Sequence, residues 1–196
     1  MIVTFEGGEG TGKTSCARLL CEHLSRRSLP WLSLREPGGE ALSEEIRSLF
    51  LAHEMGPIVE LLLVLASRRR NIERLVEPAL AAGRVVVIDR FVDSTLVYQG
   101  VLGGLGTRYV RTVMELTRTW MEPDITFVLD AGPDVALGRI FASDRFETRD
   151  AAYHGRIREA FLEIATEPRH RVVDASQGLD TVMARVLDAF DALATP

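Results

Sequence analysis

The sequence predicts an α/β fold in three layers, a five-stranded parallel sheet with helices on both faces. Three observations carry that prediction. Short apolar runs alternate with stretches of helical periodicity from one end of the chain to the other. A complete GxxxxGK[ST] segment, residues 7–14, stands between the first apolar run and the first helical pattern. The chain has 196 residues, 46% of them hydrophobic, which suffices for one buried core, and its composition shifts nowhere as a linker would.

The first strand is expected over 2–5, where Ile2, Val3 and Phe5 are apolar, and the first helix over 13–28, where Ala17, Leu20, Cys21 and Leu24 recur at helical spacing. A strand at 31–34 precedes helices at 41–52 and 57–82, the latter closed by Gly83 as a C-cap. The run Val85-Val86-Val87-Ile88 marks a buried strand over 84–89. A glycine cluster at 103–106 reads as a loop before a helix at 108–121. Then follow a strand at 125–130, a helix at 133–141 with Pro133 in its first turn, a helix at 151–165, a strand at 171–173 and a helix at 179–194. Right-handed crossovers place these helices on both sheet faces. In such sheets ligands gather at the carboxyl ends of the strands, so the segments after Phe5, Leu34 and Val87 are expected to converge.

Composition narrows the function. A net charge of -5 disfavours binding to a nucleic acid polymer. The apolar run 58–66 is short and broken by Glu60, and no basic leader with a cleavage site precedes the first strand, so a soluble, cytoplasmic protein without membrane contact is expected. Cys16 and Cys21, on the first helix, read as small buried apolar residues. His23, His53, His154 and His170 have no metal-ligand spacing and are expected on the surface or at caps.

The segment Gly7, Gly8, Glu9, Gly10, Thr11, Gly12, Lys13, Thr14 is a phosphate loop. Its glycines let consecutive N–H groups face a phosphate; Lys13 reaches the β and γ phosphates, and the Thr14 hydroxyl can ligate Mg²⁺. Asp89 ends a buried strand, where an acid can organise Mg²⁺ or its waters. Arg90 follows at once, suited to two-pronged binding of a second phosphate. Arg35 opens a tight turn, Arg35-Glu36-Pro37-Gly38-Gly39, after the second strand.

Glu9 in the phosphate loop, the Arg35 turn, Ala66-Ser67-Arg68, Asp89-Arg90-Phe91-Val92-Asp93-Ser94-Thr95, Tyr98-Gln99-Gly100, Asp144-Arg145-Phe146-Glu147 and Asp174-Ala175-Ser176 together resemble the bacterial thymidylate kinase family. The resemblance spans nearly the whole chain. It implies a single P-loop kinase domain over 1–196 with a short lid near 139–149, homodimeric, moving the γ-phosphoryl group of ATP to dTMP with Mg²⁺. It places Lys13 and Mg²⁺ at the donor phosphates, Thr14 and Asp89 beside the metal, and Arg90, with Arg35 near it, at the acceptor phosphate. Glu9 then meets the deoxyribose 3′-hydroxyl and Arg68 the thymine carbonyl. Thr95 and Gln99 line the base pocket, and Tyr98 crowds the sugar against a 2′-hydroxyl. Family members carry a further catalytic arginine either in the phosphate loop or in the lid. Gly10 stands at the first position, so the resemblance assigns it to the lid, with Arg145 first and Arg149 second. Arg139, Ser176 and Gln177 match adenine contacts.

The pattern departs in places. Val64 stands where most members carry a phenylalanine that stacks on thymine, which forfeits about 1 kcal/mol of stacking unless another aromatic intrudes. Phe91 replaces a usual tyrosine, and the lid is shorter and less arginine-rich. Two other readings remain open at the level of sequence: another nucleoside or nucleoside-monophosphate kinase on the same scaffold, with Glu36 as the nominated base for a nucleoside, and a nucleotide-hydrolysing switch, against which stands the lack of an NKxD motif.

Overall fold

The computed structural model describes residues 1–140, 146 and 149–194. The described residues form one parallel sheet of strands β1 (Ile2–Glu6), β2 (Trp31–Arg35), β3 (Val85–Asp89), β4 (Ile125–Asp130) and β5 (His170–Asp174), in the order β2-β3-β1-β4-β5. β1 and β3 are buried almost throughout, as strands covered on both faces must be. One core layer joins α1 (Lys13–Arg26) and α9 (Leu179–Ala194) to the sheet through Cys16, Leu20, Leu24, Phe5, Phe127 and Phe190. On the other face, α3 (Pro57–Asn71) and α6 (Thr107–Leu116) contribute Leu61, Leu65, Val110 and Met114, packed with Val86, Ile88 and Phe91. α2 (Ala41–Ala52) packs on α3.

Several boundaries differ from the expectation, each for a local reason. The helix read as 57–82 is helical throughout but consists of α3, a π-helical turn at Ile72–Val76 and α4 (Glu77–Ala81). Pro78 has no N–H to give to the carbonyl four residues back, and the wider turn accommodates that loss. α6 ends at Leu116 instead of 121. Thr117 and Thr119 hydroxyls donate to the carbonyls of Val113 (2.7 Å) and Met114 (3.2 Å), and Arg118 turns left-handed at φ 52°. α7 (Pro133–Leu137) is shorter than read, and the expected end at 141 lies outside the described residues. A helix absent from the sequence reading, α5 (Val92–Thr95) running into a π-helical Leu96–Leu102, follows β3. Its buried polar residues Asp93, Thr95 and Gln99 interrupt the apolar period that would have announced it. α8 (Ala151–Ile164) then packs on this segment and on β4.

Register positions the site. Asp89 pairs laterally with Phe5 of β1 and Arg35 of β2, so the phosphate loop, the Arg35 turn and the Asp89-Arg90 step leave the sheet side by side. Glu36 N–H donates to the Asp89 carbonyl and Arg90 N–H to that of Phe5, each near 3 Å, which ties the three strand ends together.

Candidate active site

The phosphate loop closes onto the N-terminus of α1 through backbone conformations that need glycine. Gly10 has φ 70°, and a Cβ there would lie 2.0 Å from the Ala136 carbonyl oxygen; no side chain fits. That physically excludes an arginine at position 10. Lys13 is 6% exposed, and its ammonium donates to the Gly8 carbonyl at 2.5 Å, inside the curl of the loop. Burial and the nearby Arg90 push its pKa down to about 8, against the pull of Asp89, Glu9 and Glu6. Thr14 donates its hydroxyl to Asp89 Oδ2 at 2.5 Å, so two oxygen ligands meet at the loop's edge.

A cavity of about 270 Å³ opens beside them, its lining including the charged or polar Glu9, Lys13, Thr14, Arg35, Asp89 and Arg90 and the apolar Phe50, Leu51, Val64, Phe91 and Phe146. Arg90 donates to the Gly7 carbonyl (3.0 Å), Tyr98 Oη (3.3 Å) and Glu9 Oε1 (3.0 Å). Burial opposes its charge, but Tyr98, Glu9, Asp89 and Glu6 outweigh it and hold the guanidinium firmly protonated. Tyr98 in turn donates to Glu9 Oε1 at 2.6 Å. Burial would push the Glu9 carboxyl up; Arg90, then His154, Lys13 and Tyr98, hold it well below the usual carboxylate range instead. Its Oε2 is buried without a hydrogen-bond partner among the described residues.

The structure thus brings Glu9, Lys13, Thr14, Arg35, Val64, Arg68, Asp89, Arg90, Thr95, Tyr98 and Gln99 around one cavity. Arg68 is nearly sealed, 1% exposed, and donates to Glu36 (2.6 Å), the Phe91 carbonyl (3.0 Å) and Thr95 (2.8 Å). Glu36 is thereby committed to an ion pair, and the Glu36-Pro37 bond is cis. At the far side of the loop, Arg139 donates to the carbonyls of Ala175 (2.8 Å), Ser176 (3.3 Å) and Gln177 (3.4 Å), so the three residues matched to adenine contacts sit together. Arg149 does not join the cavity; it lies half exposed, 3.4 Å from Glu54. Arg145 lies outside the described residues.

Sequence reasoning missed two charged groups. Glu6, fully buried at the end of β1, accepts from the Phe91 N–H (2.7 Å) and the Ser94 hydroxyl (2.5 Å), fastening the segment that carries Arg90. Burial, then Asp93, push its pKa up to about 7. His154 was expected on the surface or at a cap, yet it is buried, with Nδ1 3.5 Å from Glu9 Oε2. That contact raises its pKa against the effect of burial. His170 is buried too, 3.5 Å from Asp93. Both histidines lie on faces that only the fold brings to their partners, so spacing could not reveal them.

The thymidylate kinase family model matches residues 5–186. The chain belongs to the thymidylate kinase family. A thymidylate kinase of Symbiobacterium thermophilum is 42% identical over 189 residues, covering 93% of this chain and 88% of its own. One from a Synechococcus species is 40% identical over 179 residues, covering 91% and 88%. In structure, the chain is similar to a crystallised thymidylate kinase from Ehrlichia chaffeensis, with a TM-score of 0.78, 31% identity and coverage of 97% and 98%.

Proposed function

We infer that the chain transfers the γ-phosphoryl group of ATP to dTMP, giving dTDP and ADP. The observation that carries this beyond family membership is a cavity lined by both the cations Lys13 and Arg90 and the apolar side chains Phe50, Val64 and Phe91, as a nucleoside monophosphate with its charged and apolar parts requires. The attacking oxygen of a monophosphate is already anionic near neutral pH, so the reaction asks for charge neutralisation and alignment rather than a general base. Arg90 supplies a fixed positive charge for the acceptor phosphate, and Lys13, still mostly protonated at neutral pH with its pKa lowered to about 8, holds its proton more firmly once phosphate is near. The Glu9 carboxylate, which lines the same cavity, offers an acceptor for a sugar hydroxyl, and Tyr98, held by Glu9 and Arg90, limits the room beside it.

The hard oxygen donors of Thr14 and Asp89, 2.5 Å apart, suit Mg²⁺ and would hold it directly or through water. Held there, the ion would supply positive charge that offsets the negative charge of the transferring group. Arg139, Ser176 and Gln177 are proposed to hold the adenine, and a lid arginine to reach the transferring phosphoryl. A panel of dTMP, dUMP, dCMP, GMP and thymidine with MgATP tests the reading. Fastest turnover is expected with dTMP; faster turnover of thymidine would reverse it.

A homodimer and a cytoplasmic setting belong to the same proposal. Leu42 and Leu49 of α2 and Ile58, Val59 and Leu62 of α3 are exposed on two packed helices, apolar surface that a second copy would bury. No helix among the described residues is long and apolar enough to cross a membrane. Leu62→Asp is expected to shift the chain to monomer in light scattering; an unchanged mass would remove α3 from the interface.

A further inference from the structure

The resemblance left the base without its usual stacking partner, because Val64 replaces a ring. Among the described residues lining the cavity, the aromatic side chains are Phe50, Phe91, Tyr98 and Phe146. Two of these rings are committed to cations. The Arg68 guanidinium lies over Phe91, 4.9 Å from its centroid, and Phe91 is fully buried. Arg90 lies over Tyr98 at 5.3 Å, and the Tyr98 hydroxyl is fixed on Glu9. Phe50 and Phe146 make up the rest of the aromatic wall, stacked on each other at 5.7 Å between centroids and 22° between planes.

Phe50 is brought there by the pattern of α2. Ser43, Ile46 and Phe50 recur at positions that face inward together, and all three are buried, whereas Leu42 and Leu49 face out. The Ser43 hydroxyl donates to the Ser67 carbonyl of α3 (3.1 Å) and Arg47 donates to the Pro37 carbonyl (2.7 Å), so α2 is pinned at two points and Phe50 is held on a rigid element. Val64, on the neighbouring helix, lines the same cavity. Ring and branched aliphatic therefore line one cavity from two packed helices.

We propose that Phe50 is the aromatic that binds the acceptor base: it supplies from α2 the ring contact that Val64 does not supply from α3. The inference rests on the acceptor reading above. A flat nucleobase against Phe50 and Val64 would meet apolar lining while its phosphate meets Arg90 and Lys13 of the same cavity. Ring stacking is indifferent to the thymine methyl, so Phe50 serves dTMP and dUMP alike, and discrimination between them falls to other groups.

The test is steady-state kinetics of the full chain with MgATP. Phe50→Leu is expected to raise KM for dTMP about five-fold and KM for dUMP by the same factor, with kcat and KM for ATP within about two-fold of the parent. Phe50→Tyr keeps the ring and is expected to stay within about two-fold throughout. Val64→Phe is expected to tighten dTMP by no more than about two-fold, because the wall already carries a ring. An unchanged KM for dTMP in Phe50→Leu, an equal rise for ATP and dTMP, or a ten-fold tightening in Val64→Phe would each overturn the proposal. If the parent enzyme turns over no dTMP, the acceptor reading itself has failed, and the same comparison with whichever of dUMP, dCMP or GMP it phosphorylates still decides the role of Phe50.

Discussion

Arg90 holds its charge from a strained backbone position, φ 65°, a left-handed conformation that costs a branched or long side chain on the order of 1 kcal/mol. The surroundings over-determine it: the next N–H is taken by Glu6, its own N–H by Phe5, and its guanidinium by Gly7 and Glu9. Such a residue is preorganised, so little reorganisation is needed when an anion arrives. Arg90→Ala is expected to lower kcat/KM for dTMP on the order of a hundred-fold while ATP affinity changes by only about two- to three-fold. Equilibrium binding of ATP beside the kinetics checks this, and a parallel loss of ATP affinity would take Arg90 away from the acceptor. Glu9 follows the same logic from the opposite sign. Its charge is secured by Arg90 at Oε1 and by His154 at Oε2.

The α5 segment shows how an element is placed by charge. Arg169, just before β5, grips Asp93 with two hydrogen bonds of 2.6 and 2.8 Å and donates to Thr126 of β4 at 2.7 Å, with both partners buried. Thr126 meets Thr4 of β1 at 2.8 Å, so one polar seam joins α5 to β4 and β1. Removing one member strands a buried charge: Arg169→Met is expected to cost about 3–5 kcal/mol in urea unfolding, and a loss below about 1 kcal/mol would show that the seam contributes little. The element order, the phosphate loop and the Asp89-Arg90 step were legible because each lies in a contiguous stretch with its own period or motif. Glu6, His154, Asp93 and Arg169 were not, since their meaning depends on partners 76 to 145 positions away or on burial that no local pattern announces. Phe50 was hidden for another reason: one aromatic on the inner stripe of an amphipathic helix reads as core until a cavity is found beside it. Arg149, expected as a lid arginine, has as its partner Glu54, in the loop between α2 and α3.

Over the whole molecule, the groups buried around the site set how stability depends on pH. Glu6 binds its proton more tightly in the folded chain, with its pKa moved from 4.5 to about 7. Between those values the folded state holds a proton that the unfolded state has released, so unfolding free energy falls as pH rises and levels off above 7. His154 acts in the same direction: its folded pKa is raised, so its contribution is complete below its unfolded value and is lost as pH climbs through the folded one. Below about pH 4.5 the carboxylates held low by cations, Glu9 and Asp93 among them, lose their contribution on protonation. Stability is therefore expected to peak near pH 5 and to decline toward pH 8, by about 3 kcal/mol at most from Glu6. Glu6→Gln isolates that share, because the amide can still accept from the Phe91 N–H and can donate to the Ser94 hydroxyl. Its unfolding free energy, measured by urea titration from pH 5 to pH 8, is expected to fall less steeply than the parent's and to exceed it at pH 8. Parallel slopes in the two proteins would mean that Glu6 is ionised in the folded chain and that the segment carrying Arg90 is anchored by a carboxylate rather than by a carboxylic acid.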